Sequence, residues 1–407
     1  MTSDDADAVR RRRRLDAATV GLDAPFALVD LDAFDANAAD MARRAGGMPI
    51  RVASKSIRVR SLLERALSLP GFAGVLAFTA PEAIWLAEVG TSDDIVVGYP
   101  SVDRTALTRL RRDARLAERI TVMIDDIAQV DLLRTLAETP AAPTRVCLDV
   151  DASYRPFGDV HLGARRSPLH TADKVAALAS EIAARPDVVV VGLMSYDAQV
   201  AGVGDAGRGP RAIAVRRMQA ASLTALATQR QQCVDAVAEV LAASSRPPLE
   251  FVNGGGTGSL HTSSRDPSLT ELAAGSGLLA PRLFDGYRAF HPEPAAWFAL
   301  PVVRRPSTGR VTVLGGGYSA SGAPGLDRLP TPVFPPGLRY ESTEGAGEVQ
   351  TPLRGAAADE LAIGDRVWFR HAKAGELAER FELVWLLAGD DLCGSTPTYR
   401  GEGRTFL

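Results

Sequence analysis

Eight short apolar runs, separated by stretches with helical spacing, constrain this chain more than any other feature. The runs are FALVDL (26–31), IRVAS (50–54), GVLAF (74–78), DIVVG (94–98), ITVMI (120–124), RVCLDV (145–150), VVVVGLM (188–194) and LEFVN (249–253). Several are apolar on successive residues rather than on alternate ones, as strands buried on both faces are. Between them, apolar residues recur every three or four positions. Leu62, Leu63, Ala66 and Leu67 form one such stripe, and Val175, Leu178 and Ile182 form another. A third, Ile127, Val130, Leu133 and Leu136, follows Asp126, a side chain suited to capping a helix N-terminus. Eight strands alternating with helices match a (β/α)8 TIM-like barrel, while an open doubly wound sheet shares the same local grammar and stays open as an alternative.

After residue 280 the texture changes. Helical stripes stop, proline and glycine become dense, and short β-type runs appear: WFALPVVRR (297–305), RVTVLGGG (310–317), RVWFRH (366–371) and RFELVWLL (380–387). This pattern predicts a C-terminal all-β domain, a small sandwich or barrel, over 291–407. The barrel is expected over 25–290, preceded by an N-terminal extension over 1–24. The five arginines Arg10 to Arg14 in that extension follow three aspartates and read as a solvated helix face or a frayed terminus.

Acidic residues outnumber basic ones 49 to 46, a net charge of −3, so charge gives no reason to expect nucleic acid or an anionic membrane as partner. Cys147, Cys233 and Cys393 are far apart, which argues against a disulfide framework or a cysteine-rich metal site. The acidic N-terminus MTSDDADAV lacks the apolar core of a secretory signal, and no run approaches a membrane span. A cytoplasmic protein is the expectation.

Two features suggest chemistry. Lys55 ends the run IRVAS, at what would be the C-terminal mouth of a barrel, where such folds place catalysis. Desolvation there would free its amine to form a Schiff base with a carbonyl; position alone equally allows a surface lysine just past a strand. The second is Asn253-Gly254-Gly255-Gly256-Thr257-Gly258-Ser259, directly after LEFVN. Its backbone N–H groups and hydroxyls suit a phosphate, although bare glycine turns are common. Together they match the needs of pyridoxal phosphate, a lysine for its aldehyde and a neutral cradle for its phosphate. Tyr196, after VVVVGLMS, could pack on a flat ring. Arg155, Arg165 and Arg166 follow RVCLDV, where arginines could hold a cofactor hydroxyl or a substrate carboxylate, or serve only loop solvation.

PFALVDLDAFDAN, RVASKS, Tyr196 and NGGGTGS resemble the alanine racemase N-terminal barrel superfamily, the fold-type III pyridoxal phosphate enzymes. ELAAGSGLLAPRLFDGYR, HAKAGELAERF and TYRGEG resemble its D-threonine aldolase and D-serine dehydratase branch, within it the amino acid deaminase/aldolase group. The resemblance runs over residues 22 to 407 and implies roles. Lys55 becomes the cofactor-bonding lysine, Gly254 to Ser259 the phosphate loop, and Tyr196 a ring contact. Arg155 becomes the partner of the cofactor's phenolic oxygen, and Tyr287 a further residue facing the site. It also implies a homodimer with each site completed across the interface.

In that branch a divalent metal is held by a His-x-Cys or His-x-Asp pair in the β domain. Here the matching stretch is His371-Ala372-Lys373, and a lysine is a poor metal ligand, which leaves the metal in doubt. The alternative is that Lys373 replaces the metal's charge. The implied activity is a lyase acting on a β-hydroxy amino acid of D configuration, by aldol cleavage or β-elimination, with Lys55 as one base and His371 or Lys373 as the second group. Three rivals remain. One is a racemase drawing a second base from Tyr318, Tyr340 or Tyr399, another a cofactor-free Schiff-base aldolase, and the third a non-catalytic pyridoxal phosphate carrier.

Overall fold

The computed structural model describes residues 3–137 and 139–407. The first strand, β1 (Phe26–Asp30), is followed by eight that hydrogen-bond in ring order into a closed parallel barrel. These are β2 (Ile50–Ala53), β3 (Phe72–Ala77), β4 (Ile95–Val97), β5 (Ile120–Ile124), β6 (Thr144–Asp149), β7 (Val188–Ser195), β8 (Phe251–Gly254) and β9 (Glu271–Ala274). β2 pairs with β9 in register Ile50↔Leu272, which closes the ring. The barrel is therefore the observed architecture, and the open sheet is excluded.

Its membership differs from the sequence expectation by one strand at each end. FALVDL is a strand, but β1 lies outside the barrel, antiparallel to β10 (Ala296–Ser307) and parallel to β16 (Leu383–Ala388). The eighth barrel strand is instead Glu-Leu-Ala-Ala, β9. An apolar run records that both faces are covered and not which strands cover its edges, so periodicity could not separate the two places. β9 is four residues long and half alanine, a composition with little β-propensity of its own.

The predicted helices form. Arg60–Ser68 buries Leu62, Leu63 and Ala66, and Ala172–Ala183 buries Val175, Leu178 and Ile182. Ile127–Leu136 buries Val130 and Leu133, and Asp126 caps it in a reciprocal capping box with Gln129. A 34-residue helix, Pro210–Ala243, was not marked in the sequence; its buried face runs Ser222, Leu226, Arg230, Cys233, Val237, Leu241 at spacings of three and four. No described helix is long and apolar enough to cross a membrane.

The C-terminal residues supply β10, β11 (Arg310–Leu314), β12 (Thr331–Phe334), β13 (Arg339–Tyr340), β14 (Gln350–Arg354), β15 (Arg366–Arg370), β16 and β17 (Asp391–Pro397). With β1 they make one nine-stranded sheet. The arginine run lies in the helix Ser3–Ala18, which docks on this sheet. Leu15 is buried with Trp297, Phe334 and Trp368, Trp368 Nε1 donates to Asp16 at 2.8 Å, and Arg14 pairs with buried Asp30. One side of that helix is thus anchored rather than solvated.

Candidate active site

Lys55 lies in a single 3-10 turn, Ser54–Ser56, that follows directly on fully buried β2. Ser54 anchors the turn. Its Oγ donates to the Leu76 carbonyl at 3.1 Å, and its carbonyl accepts from Ile57 and Arg58 N–H. Arg58 leaves the turn at φ 52°, the left-handed region that non-glycine residues rarely hold. The C-terminal sheet domain clamps the same turn. Arg58 pairs with Glu379 at 2.6 Å, and Tyr399 N–H donates to the Arg58 carbonyl at 2.9 Å. A Cβ on Gly375, itself at φ 93°, would lie 1.9 Å from the Lys55 carbonyl oxygen, so only glycine fits there. The glycine of HAKAGE is thus explained by close approach to the lysine turn.

The Lys55 side chain projects into a cavity of about 300 Å³ at the C-terminal mouth of the barrel. Its ammonium donates to the Tyr99 hydroxyl and sits 5.2 Å from that ring's centre. Arg166 lies between two rings, 5.4 Å from Tyr99 and 5.2 Å from Tyr196. Burial, with Asp197 adjacent, pushes the Tyr196 phenol up to about 12, so it stays a neutral donor. Burial also pushes Asp149, at the end of β6, up to about 7, an effect the charge of Arg166 partly offsets.

Two loops supply a further part of the lining. Asn253, Gly255, Gly256 and Thr257 come from the end of β8, and Gly275 and Ser276 from the end of β9. Thr257 Oγ1 joins them, 3.2 Å from Ser276 Oγ and accepting from Gly277 N–H at 3.2 Å. Gly254, Gly258 and Ser259 lie behind this wall. A Cβ on Gly258 would stand 2.3 Å from the Ala201 carbonyl oxygen. Below the loop, buried Arg230 donates to Ser195 Oγ at 2.6 Å and pairs with Asp266 at 2.9 Å. From the sheet domain, Lys373, Ser321 and Glu376 complete the lining. Among the described lining residues, Lys55, Arg58, Arg166 and Lys373 are cationic and Glu376 is the one carboxylate, an excess that suits an anionic ligand.

The structure brings together Lys55, Arg166, Tyr196, Gly255, Gly256, Thr257 and Lys373. It places the other candidates elsewhere. Arg155 is tied to Ser153 Oγ at 3.0 Å and to Asp151, off the cavity wall, while Arg166 from the same loop lines it. Arg165 is exposed and does not line the cavity. Tyr287 is buried among Phe284 and Phe290 and donates to the Ala201 carbonyl at 2.8 Å, packed beneath Gly258. His371 is buried behind the wall, and burial, with Arg370 adjacent, lowers its pKa to about 3, so it is neutral. The Lys373 ammonium donates to the Ser321 carbonyl at 3.2 Å. Burial, Arg328 and Lys55 together lower its pKa.

Sequence reasoning missed Tyr99, which directly follows the strand DIVVG. The strand-end rule that selected Tyr196 applies to it equally. It also missed Gly275 and Ser276, because the strand that carries them was itself missed.

Comparison with known proteins agrees with this fold. The profile of "Alanine racemase, N-terminal domain" matches residues 29–279. The 3-hydroxy-D-aspartate aldolase of Paracoccus denitrificans (strain Pd 1222) is 28% identical over 263 residues, 62% of this chain and 59% of that protein. The chain thus spans 59% of the length of the curated relatives it matches. D-threonine aldolase from Filomicrobium marinum superposes with a TM-score of 0.76 at 23% identity, covering 93% of this chain and 95% of that one. D-threo-3-hydroxyaspartate dehydratase from Delftia sp. HT23 gives a TM-score of 0.68 at 21% identity, covering 93% and 98%. These superpositions share the complete two-part fold.

Proposed function

The chain belongs to the alanine racemase N-terminal domain family, and from that premise we propose that it is a pyridoxal phosphate-dependent lyase acting on a β-hydroxy amino acid of D configuration. The observation that carries the reading is a single cavity lined by both Lys55 and a glycine–hydroxyl wall. The residues fit the cofactor. Lys55 offers the amine for its aldehyde, while Gly255, Gly256, Thr257 and Ser276 offer backbone N–H groups and hydroxyls for a phosphate. Arg166 and Tyr196 offer a cation and a flat face for the ring. Arg166 and Lys373 give the lining cations that suit a phosphate or a substrate carboxylate.

When bound, pyridoxal phosphate supplies an electron sink conjugated to the amino acid's Cα. The chain's own residues then divide the proton work. Lys55 removes or returns a proton at Cα, and Tyr99, hydrogen-bonded to its amine, orients it. Lys373 reaches the cavity from the sheet domain, and its lowered pKa suits an exchange of a proton with the β-hydroxyl. His371 does not line the cavity, so contact with substrate falls to Lys373. One imidazole and one ammonium are a poor donor set for a divalent cation, and no step here uses a metal.

The racemase alternative finds none of its three candidate tyrosines on the cavity wall of their own chain. Tyr340 donates to the Pro330 carbonyl, Tyr399 donates to Glu82, and Tyr318 packs on Phe298 and Phe381, all off the cavity wall. The carrier reading leaves the sheet domain's contribution to the cavity unused, and the cofactor-free aldolase leaves the glycine loops without purpose. A cytoplasmic homodimer completes the proposal.

The test is an absorbance scan of purified protein, borohydride reduction and peptide mapping, followed by β-hydroxy amino acids assayed for keto acid, aldehyde and inverted product. Reduced cofactor trapped on the peptide holding Lys55, with lyase products, is the expected result. A protein that stays colourless with added pyridoxal phosphate would overturn the reading.

A further inference from the structure

A second cavity, of about 520 Å³, opens on the other side of Lys55. The two cavities share Lys55, Arg58 and Tyr99 as a common neck. The outer one is lined chiefly by Phe78, Pro81, Pro100, Ser101, Val102 and Phe406. Of its charged side chains, Lys55 stands at the neck against the Tyr99 hydroxyl, and Arg58 and Asp103 have partners elsewhere. Arg58 pairs with Glu379 at 2.6 Å, donates to the Lys55 carbonyl at 3.2 Å, and lies over the Phe78 ring at 5.0 Å. Asp103 caps the helix Arg104–Arg112 by accepting from Ala106 N–H at 2.9 Å. The outer cavity therefore presents a bulky, apolar volume without a free fork for a carboxylate.

The inner cavity, at about 300 Å³, is at the small end of ligand pockets, which run from about 300 to 1,000 Å³. A substrate whose Cα comes within reach of the Lys55 amine has its remaining substituent next to the neck. We propose that the outer cavity is the side-chain subsite, and that it selects β-hydroxy amino acids with an uncharged aryl or branched alkyl group over those with a second carboxylate. The inference rests on the lyase reading for its chemistry and on the second cavity for its specificity. It departs from what the name of the Paracoccus relative says of that protein.

The experiment compares kcat/KM of the holoenzyme for D-threonine, 3-hydroxy-D-aspartate and D-configured β-phenylserine, in wild type and in Ser101→Trp and Val102→Trp. Calorimetric titrations with D-phenylalanine and D-aspartate run alongside. The phenyl substrate should exceed both others by at least about tenfold, and the tryptophan variants should cut that preference by a similar factor, the scale set by filling an apolar pocket. A preference for the dicarboxylate, or a preference that neither variant moves, overturns the subsite. If no β-hydroxy amino acid is turned over but D-phenylalanine binds more tightly than D-aspartate and Ser101→Trp weakens it, the subsite stands and the lyase reading falls. If neither turnover nor selective binding appears, both fall.

Discussion

At the scale of single residues, the cavity distinguishes side chains that neighbour one another in sequence. Arg165 and Arg166 are adjacent and both exposed, yet Arg166 reaches the Tyr99 and Tyr196 rings and lines the cavity while Arg165 does not. Arg166→Ala should weaken cofactor binding and shift the visible band. Arg155→Ala should lower Tm with cofactor affinity unchanged, because Arg155 serves buried Asp151; titration of both variants with pyridoxal phosphate checks this, and equal affinities would refute it. His371 and Lys373 separate in the same way, one behind the wall and one on it. Lys373→Ala should reduce kcat by about 10²–10⁴-fold, as loss of a positioned acid or base does. A chelator should leave wild-type activity intact, and recovery of chelator-treated enzyme by zinc or manganese would show that a metal is needed after all. Lys55 and the glycine loop were legible as residues because a strand end and a run of glycines are local facts. The choice among three arginines was not, because it depends on where the loop after β6 carries each one.

Among the elements, the helix Ala80–Glu88 carries a buried carboxyl whose ionisation affects the stability of the fold. Glu82 is fully buried, takes hydrogen bonds from Phe78 N–H at 2.7 Å and the Tyr399 hydroxyl at 2.9 Å, and is pushed by burial from 4.5 up to about 7. A carboxyl with a raised folded-state pKa stabilises the fold when protonated. That contribution is complete below about pH 4.5 and lost as pH rises through about 7, amounting to roughly 3 kcal/mol for a shift of this size. In Glu82→Gln the slope of stability against pH between those values should flatten; urea melts across that range would measure it, and an unchanged slope would refute the assignment. Tyr399 belongs to TYRGEG at the C-terminal end of the chain, so this contact also holds that segment on the barrel. The strands show the limits of periodicity. FALVDL reads as a strand and is one, but its partners lie 270 and more residues away, Phe26 facing Ala299 and Ala27 facing Val384.

For the whole molecule, β1 binds the two parts into one folding unit. It precedes the barrel in sequence and sits inside the sheet built by the C-terminal residues. A fragment ending at residue 289 would leave β1 without its partners β10 and β16 and would expose Phe26, Leu28 and Leu15 to water. That fragment should aggregate or melt without cooperativity in calorimetry; a soluble fragment with native pyridoxal phosphate binding would refute this and revive the carrier reading. The cavity itself spans both parts, with Lys55 and Tyr99 from the barrel and Lys373 and Ser321 from the sheet domain. The proposed homodimer predicts a mass near twice the chain's in light scattering at micromolar concentration, and a monomer there would refute it.

Sequence alone determined most of the buried strands and three of the amphipathic helices, because alternation and period depend on residues a few places apart. It also placed a lysine at a strand end and a glycine loop after a later strand, which local chemistry suffices to read. Tertiary structure decided that β9 rather than β1 closes the barrel, that Arg166 rather than Arg155 enters the cavity, and that Lys373 rather than His371 lines it. Each of those choices is set by pairing and packing between segments far apart in the chain. A hydrophobic pattern encodes how much of a residue is covered, and only the fold specifies by what.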